Sequence, residues 1–372
     1  MNIHQVNTDS RQDVTRFVQL PYHLYRDCPQ WVPQLLSAGY RTLDRRHHPF
    51  YEHSVASFFL AERGGEVVGR IAALENRNYN RYRNANLAFF GYFDAVDDEE
   101  VSAALFAAAC EWAWKRGLDA IAGPHGLLGS EGGSVLVEGF DLRPAMGVPY
   151  NYPYYHRLIS QAGFAKDTDF LSAQLDIDYV LPERVRNIAN KARARSRFQV
   201  KSFRSKRELR VWVPRFVEAH GRAFANNHTY YPPTPAEVSA LVSTIMQVVD
   251  PQLVKLILLR DEIIGFVLGF RDLSLGLQRA AGRLWPFGWY HILAARRRTR
   301  WINLNGLGLT PEHRGVGADA LLLTTLDDTI RSAPFEHAYL VQVEEGNVAM
   351  VQQALRLGIT WCTRHRSYRK AL

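Results

Sequence analysis

The order of strands and helices in this 372-residue chain occurs twice, and that repeat limits its possible folds more than any other feature. Ser57 to Leu74 (SFFLAERGGEVVGRIAAL) reads as an apolar strand, a charged Gly-Gly turn and a second apolar strand. Leu253 to Phe270 (LVKLILLRDEIIGFVLGF) repeats the pattern, with Gly69 and Gly265 in matching places. Further on, Tyr155 to Lys166 (YHRLISQAGFAK) is matched by Val351 to Cys362 (VQQALRLGITWC), aligning Gly163 with Gly358. Between these landmarks the first half shows a strand (Leu87 to Phe93), a helix (Glu99 to Lys115) and a strand (Leu118 to Ala122). The second half shows the same order at Trp301 to Leu309, Ala318 to Ser332 and His337 to Val343. Leu322, Leu326 and Ile330 recur at helical spacing, as do Leu105, Ala109 and Trp112. A strand pair followed by strand-helix-strand-helix predicts a mixed α/β (α+β) layer in each half. We therefore expect two tandem domains, residues 1–178 and 179–372. The basic run from Ile177 to Arg197 should be a solvated connecting helix.

The length suits two cores rather than one. The three cysteines, Cys28, Cys110 and Cys362, lie far apart, form no disulfide framework or metal-ligand spacing, and fit a reducing cytoplasm. Met1 to Val14 lacks the apolar core of a signal peptide, and uncharged stretches such as Val238 to Val249 are too short to span a bilayer. The expected location is cytoplasmic, with a peripheral position on the inner membrane left open. A net charge of +8 points to an anionic partner: nucleic acid, an acidic lipid surface or a phosphorylated cofactor.

Leu307 to Leu323 (LGLTPEHRGVGADALLL) carries the chemistry: a strand, a turn, a glycine-rich loop and a helix. A helix N-terminus offers unpaired N–H groups and the positive end of a dipole. Gly315 and Gly317 let backbone approach an anion closely, and Arg314 adds a fixed positive charge.

Arg314-Gly315-Val316-Gly317, preceded by Pro311-Glu312-His313, resembles the acyl-coenzyme A signature of the GNAT superfamily of N-acetyltransferases. The superfamily's later Asn-x-x-Ala…Gly-Phe segment is echoed by Asn347, Met350, Gly358 and Ile359. The resemblance implies two tandem GNAT-like domains and acyl-CoA or acetyl-CoA as co-substrate, with no metal. It assigns Leu309 and Thr310 to the pantetheine arm, and Arg314, Gly315, Val316, Gly317, Ala318 and Asn347 to the rest of the CoA site. Two positions depart from it. Asp319 stands where the signature has a small residue, so the pyrophosphate should sit to one side or bind more weakly. Ala354 stands where many relatives carry a tyrosine general acid. In the first half, Phe93 to Glu100 (FDAVDDEE) is acidic where phosphate would bind, so that half looks like a degenerate copy.

The chain also resembles bacterial tandem-GNAT proteins in LPYHLYRDCPQWVP, FFGYFDAVDD, VEGFDLRP, PYNYPYYHRLISQAGF and GRLWPFGWYHILAARRR. That group is associated with ceramide-type (sphingolipid) N-acylation. The implied activity is an acyl-CoA-dependent N-acyltransferase making an amide on a lipid amine, such as a long-chain base, at a membrane surface. The alternatives are an N-acetyltransferase of a small soluble amine, or a non-catalytic GNAT-fold protein that binds acidic lipid or nucleic acid.

Catalytic candidates come from two places. His228, in the loop NNHTYYPPTP with Asn226 and Asn227, is either a base or part of a helix-capping turn. Glu344 and Glu345 either draw a proton from the incoming amine through water or are a charged strand end. His125, Ser130 and Glu131 in GPHGLLGSEGG line an acceptor pocket or belong to a tight surface loop. His47, His48 and His53 match no metal-ligand pattern.

An insertion at about residues 272–300 holds Arg279, Arg283, Arg296, Arg297 and Arg298 among Trp285, Phe287, Trp289 and Tyr290. No acidic residue occurs from Leu273 to Pro311. This content suits an anionic membrane interface near the thioester better than nucleic acid; the plain reading is a basic surface segment packed by its aromatics.

Overall fold

The computed structural model describes residues 1–372 except Ser130, Gly132, Ser196 and Asn226. Two of the acceptor-side candidates, Ser130 and Asn226, thus lie outside the described residues. The first half begins with β1 (Asn2–Gln5), α1 (Arg11–Leu24) and α2 (Leu36–Leu43). It continues with β2 (Val55–Arg63), β3 (Glu66–Glu75), α3 (Arg77–Arg83) and β4 (Leu87–Ala95). Then follow α4 (Glu99–Trp114), β5 (Ala120–Gly123), β6 (Val135–Glu138), α5 (Tyr154–Gln161) and β7 (Ala165–Asp176). The second half opens with α6 (Glu183–Ala194), β8 (Gln199–Ser202), α7 (Lys206–Phe224) and α8 (Pro235–Val248). Next come β9 (Val249–Leu259), β10 (Glu262–Arg271), α9 (Ser274–Ala280), α10 (Gly288–Arg298) and β11 (Trp301–Leu309). It closes with α11 (Ala318–Arg331), β12 (His337–Glu344), α12 (Val348–Arg356) and β13 (Thr363–Ala371).

The strands alternate between two cores on opposite faces, as a period of two requires. On β2, Phe58 and Leu60 join one cluster while Phe59 and Ala61 join the other. The α4 stripe of Leu105, Ala109 and Trp112 is buried on the second of these, each large side chain contributing roughly 1.5–3 kcal/mol. In the second half, Leu322 and Leu326 of α11 are buried with α6 and α12, while α7 and α8 cover the other face.

The two hairpins share a register. Ala61 pairs with Gly69 and Ile257 with Gly265. Adding a Cβ to Gly69 would place it 2.7 Å from Leu105, so the glycine lets α4 lie close to the sheet.

The described strands form one mixed sheet in the order β1-β2-β3-β4-β5-β13-β7-β12-β11-β10-β9-β8, with β6 also on β13. Each half thus gives its last strand to the other: β7 pairs with β12, and β13 with β5. Buried Asp169 on β7 pins this seam, accepting from Arg366 Nε at 2.7 Å and lying 3.1 Å from Lys166 Nζ. Burial pushes its carboxyl up, but Arg366, Lys166 and Arg364 outweigh this and hold it at about 2.

Two expectations change. The basic run is not a free connector: α6 buries Val185, Ala189 and Ala192 against α11, and Arg186 pairs with Asp327 and Asp328. The insertion, α9 and α10, stands where β11 begins, whereas residues 314–317 follow the far end of that strand.

Candidate functional site

In both halves a parallel strand pair starts together and then parts. β11 pairs with β12 only from Trp301↔His337 to Leu304↔Leu340. Beyond that, β11 keeps β10 on one side, and β12 follows β7. In the first half β4 and β5 pair from Leu87↔Ala120 to Phe89↔Ala122 and then part likewise. A one-residue register shift accompanies each fork, between Arg70 and Ala72 in β3 and between Val267 and Gly269 in β10. Counting from the first residue of each strand, Tyr92 and Gly306 occupy the same place, both with positive φ (50° and 110°).

That position separates the two forks. Tyr92 is a non-glycine residue in a region L-residues rarely visit, and its hydroxyl donates to Glu131 Oε2 at 3.1 Å. Glu131 also accepts from the Leu127 N–H at 2.8 Å and lies 3.7 Å from His48. Burial raises the Glu131 carboxyl, but His48, Tyr92 and the backbone donors together leave it lowered. His125 donates its N–H to the Phe90 carbonyl at 2.7 Å and packs its ring on Phe89 at 4.7 Å. Burial holds the His125 imidazole below its ordinary range. The first fork is therefore filled by the chain's own backbone around His125, whose carbonyl oxygen would lie 2.0 Å from a Cβ on Gly91. At Gly306 an added Cβ would meet nothing nearer than 3.9 Å. Buried Asn303, in the last paired stretch of β11, has no partner among the described residues for either side-chain polar atom.

The helices beyond the forks differ in the same sense. The Asp98 side chain caps α4, accepting from Glu100 and Val101 N–H. Arg157 pairs with Asp97 and Glu99, and Arg63 with Asp98 and Glu100. In contrast, α11 begins at Gly317 (φ 87°), which supplies no side-chain cap. Gly315 (φ 74°) has open space around it, and Val316 is exposed. The Arg314 side chain is exposed, its Nε only 3.5 Å from the Leu309 carbonyl. Ala318 is fully buried, and Leu309 packs against Gly265. Thr310 is buried: its N–H donates to the Ile264 carbonyl at 2.9 Å and its hydroxyl lies 2.9 Å from His313 Nδ1. Gln353 Nε2 donates to Asp319 at 2.8 Å, tying that carboxylate to α12. Asn347 caps α12 by accepting from the Met350 N–H.

Of the three catalytic candidates, the structure brings two together. Glu344 Oε2 lies 3.5 Å from the His228 N–H, and His228 Nε2 lies 3.4 Å from Asp167 on β7. Tyr79 of α3 donates to the His228 carbonyl at 3.2 Å, and Arg83 holds the Asn227 and Tyr230 carbonyls, so the first half staples this loop. Glu345 is engaged elsewhere, with Lys166 at 2.8 Å and the Asp169 N–H at 3.0 Å. An imidazole beside a carboxylate can accept a proton. Asp167 carried no signal in the sequence, since only the exchange of last strands brings it to His228. Gly306 and Gly308 inside a strand are the kind of signal that marks a bulge or close approach.

The histidines of HHPFYEH face carboxylates rather than one another: His53 meets Glu237 at 3.1 Å and His48 meets Glu131. Among the described residues no group of three or more His, Cys, Asp or Glu is placed to hold a metal ion. No described helix is long and apolar enough to cross a membrane.

A forked parallel strand pair leading through a turn into a helix, present twice in one sheet, is the architecture of tandem GNAT-fold proteins. The solved structures agree. A tandem GNAT protein from the clavulanic acid biosynthesis pathway superposes with a TM-score of 0.58, covering 100% of this chain and 98% of its own at 14% identity. A GCN5-related N-acetyltransferase from Sphaerobacter thermophilus gives 0.54 over 100% and 95%, also at 14% identity. No known family profile matches the chain. The bacterial ceramide synthase of Caulobacter vibrioides is 27% identical over 97% of this chain and 95% of its own. Protein YghO of Escherichia coli (strain K12) is 24% identical over 98% and 94%. The chain thus has the mixed α/β tandem GNAT fold along its whole length.

Proposed function

We propose that this protein is an acyl-CoA-dependent N-acyltransferase with one working site, in residues 179–372, and a lipid amine as acceptor. The observation that carries this reading is the open fork at Gly306 leading to the uncapped α11. Pantetheine would lie in the fork along Leu309, and the pyrophosphate would meet Arg314 and the N–H groups from Gly315 to Ala318. The amine attacks the thioester carbonyl, the developing oxyanion takes backbone donors, and CoA thiolate leaves. His228, oriented by Asp167, takes the proton of the attacking amine, with Glu344 beside it. No covalent enzyme intermediate is required. Asn303 supplies an amide with both polar atoms free to orient the reacting groups.

The relative named bacterial ceramide synthase supports a long-chain base as acceptor. So do the exposed Trp285 and Phe287 of a segment rich in arginine and free of acid, which fit an anionic membrane surface on the cytoplasmic side. The test is to incubate the protein with acyl-CoAs of graded length and either a long-chain base or a soluble polyamine. Free thiol and amide product are then followed by mass spectrometry. Amide on the long-chain base is expected. Amide on the polyamine alone would replace the acceptor, and CoA binding without transfer to any amine would make this a binding protein.

A further inference from the structure

A pocket of about 490 Å³ opens far from the α11 loop, where α1 and the segment after it meet the insertion. Three contacts build it. Gln278 of α9 donates to the Pro29 and Trp31 carbonyls at 2.7 and 2.9 Å, and the Leu36 N–H donates to the Gly282 carbonyl at 2.8 Å. Tyr22 lies so close to Gly282 (φ 76°) that a Cβ there would sit 2.2 Å from its ring. The walls are aromatic: Trp31 stacks on Tyr25 and meets Tyr22 edge-on, both at 5.2 Å. The Tyr25 hydroxyl points away into the core, donating to Tyr155 at 2.7 Å, and its ring is held between Trp31 and Tyr152, so it backs the Trp31 wall.

The charge in this lining is of one sign. Arg26 and Arg283 contribute, and no Asp or Glu does. Nearby ion pairs run elsewhere, Arg70 to Asp94 and Arg143 to Asp272, leaving Arg26 and Arg283 without a carboxylate partner among the described residues. Shortly after Arg283 come the two most exposed aromatic side chains among the described residues: Trp285 is 79% and Phe287 70% exposed. Exposed aromatics of this kind rest in the headgroup layer of a bilayer, with neighbouring arginines at the depth of the phosphates.

We propose that this pocket holds the phosphate of an anionic phospholipid, gripped by Arg26 and Arg283, while Trp285 and Phe287 dip into the bilayer beside it. Guanidinium groups pair with phosphate oxygens in a bidentate way that a merely basic surface does not reproduce. The inference rests on the membrane part of the proposed function and gives it a direction. β11 begins where the insertion that carries Arg283 ends and runs nine residues, roughly 30 Å at strand rise, toward the α11 loop. Docked here, the base of the fork faces the bilayer and the α11 loop faces water.

Two measurements test it on the full chain. The first follows tryptophan fluorescence, with Trp31 in the wall, during titration with monomeric dihexanoylphosphatidylglycerol. Saturable binding is expected, weakened about tenfold or more by Arg26→Gln with Arg283→Gln. Arg297→Gln with Arg298→Gln removes the same charge outside the pocket and should leave it unchanged. Equal binding by the Arg26/Arg283 variant, or no saturable binding by the wild type, overturns the pocket. Inorganic phosphate binding as tightly as the lipid assigns the site to a soluble phosphate and overturns the lipid source. The second is flotation with phosphatidylcholine vesicles with and without phosphatidylglycerol. Wild-type protein should float only with the anionic vesicles, and the Arg26/Arg283 variant less. Flotation of the variant equal to wild type overturns the pocket alone. No flotation of the wild type overturns the membrane reading as well.

Discussion

The two forks of this molecule share a register, a bulge and a following helix, yet one is closed and the other open. In the first half Tyr92 fills the bulge, Glu131 and His125 bring a loop into the gap, and Asp98 caps the helix. In the second half Gly306 stands in the place of Tyr92 and Gly317 in that of Asp98, and Asn303, in the place of Phe89, has no side-chain partner among the described residues. On the proposed reading, this fold does not by itself make a CoA site. Backbone left bare at two or three positions would make it, and side chains at those positions turn the same frame into support. The closed half still contributes, because α3 holds the loop of His228 and β7 brings Asp167.

The largest expected effect comes from writing the closed fork into the open one. Gly306→Tyr should weaken CoA binding on the order of 100-fold, about 3 kcal/mol, by calorimetry. The reverse change, Tyr92→Gly, should create no second site. His228→Ala should lower the rate on the order of 100-fold while leaving CoA affinity nearly unchanged, and Asp167→Asn should lower it less. If His228→Ala keeps full rate, Glu344 takes the role of base. Gly317→Asp imports the first half's cap and should cost about tenfold in CoA affinity. Asp319→Ala should leave that affinity unchanged or tighten it about fivefold at most, since Gln353 already holds the carboxylate aside. A large loss there would mean that Asp319 orders the loop.

Much of this frame was legible in the sequence. The repeated hairpin, the helical stripes and the glycine loop before α11 all depend on local periods and turn chemistry, which a single chain displays. The acidic Asp97 to Glu100 stretch likewise marked the closed helix. The exchange of last strands was not legible, because β7 and β13 look alike as strands and only tertiary pairing decides their neighbours. For the same reason Glu344 and Glu345 read as equivalent, although Glu345 is tied to the Asp169 seam and Glu344 faces His228. Asn303 read as an ordinary strand residue until its burial without a partner was seen.

A separate effect, on stability rather than binding, concerns acid. Burial lowers His220 on α7, behind the open fork, from 6.5 to about 4. The unfolded chain binds that proton first, so this group removes stability as pH falls from 6.5 toward 4, on the order of 2 kcal/mol. His220→Phe should flatten that part of the pH–stability curve, read by denaturant melts; an unchanged slope would assign the acid response elsewhere.

The central claim, one working site in two equivalent frames, is tested most directly by the stoichiometry of CoA binding in calorimetry. One CoA per chain is predicted, lost in Gly306→Tyr and kept when Tyr92→Phe and Asp98→Asn are made in the first half. Two per chain, or one that survives Gly306→Tyr and disappears with the first-half changes, would contradict it.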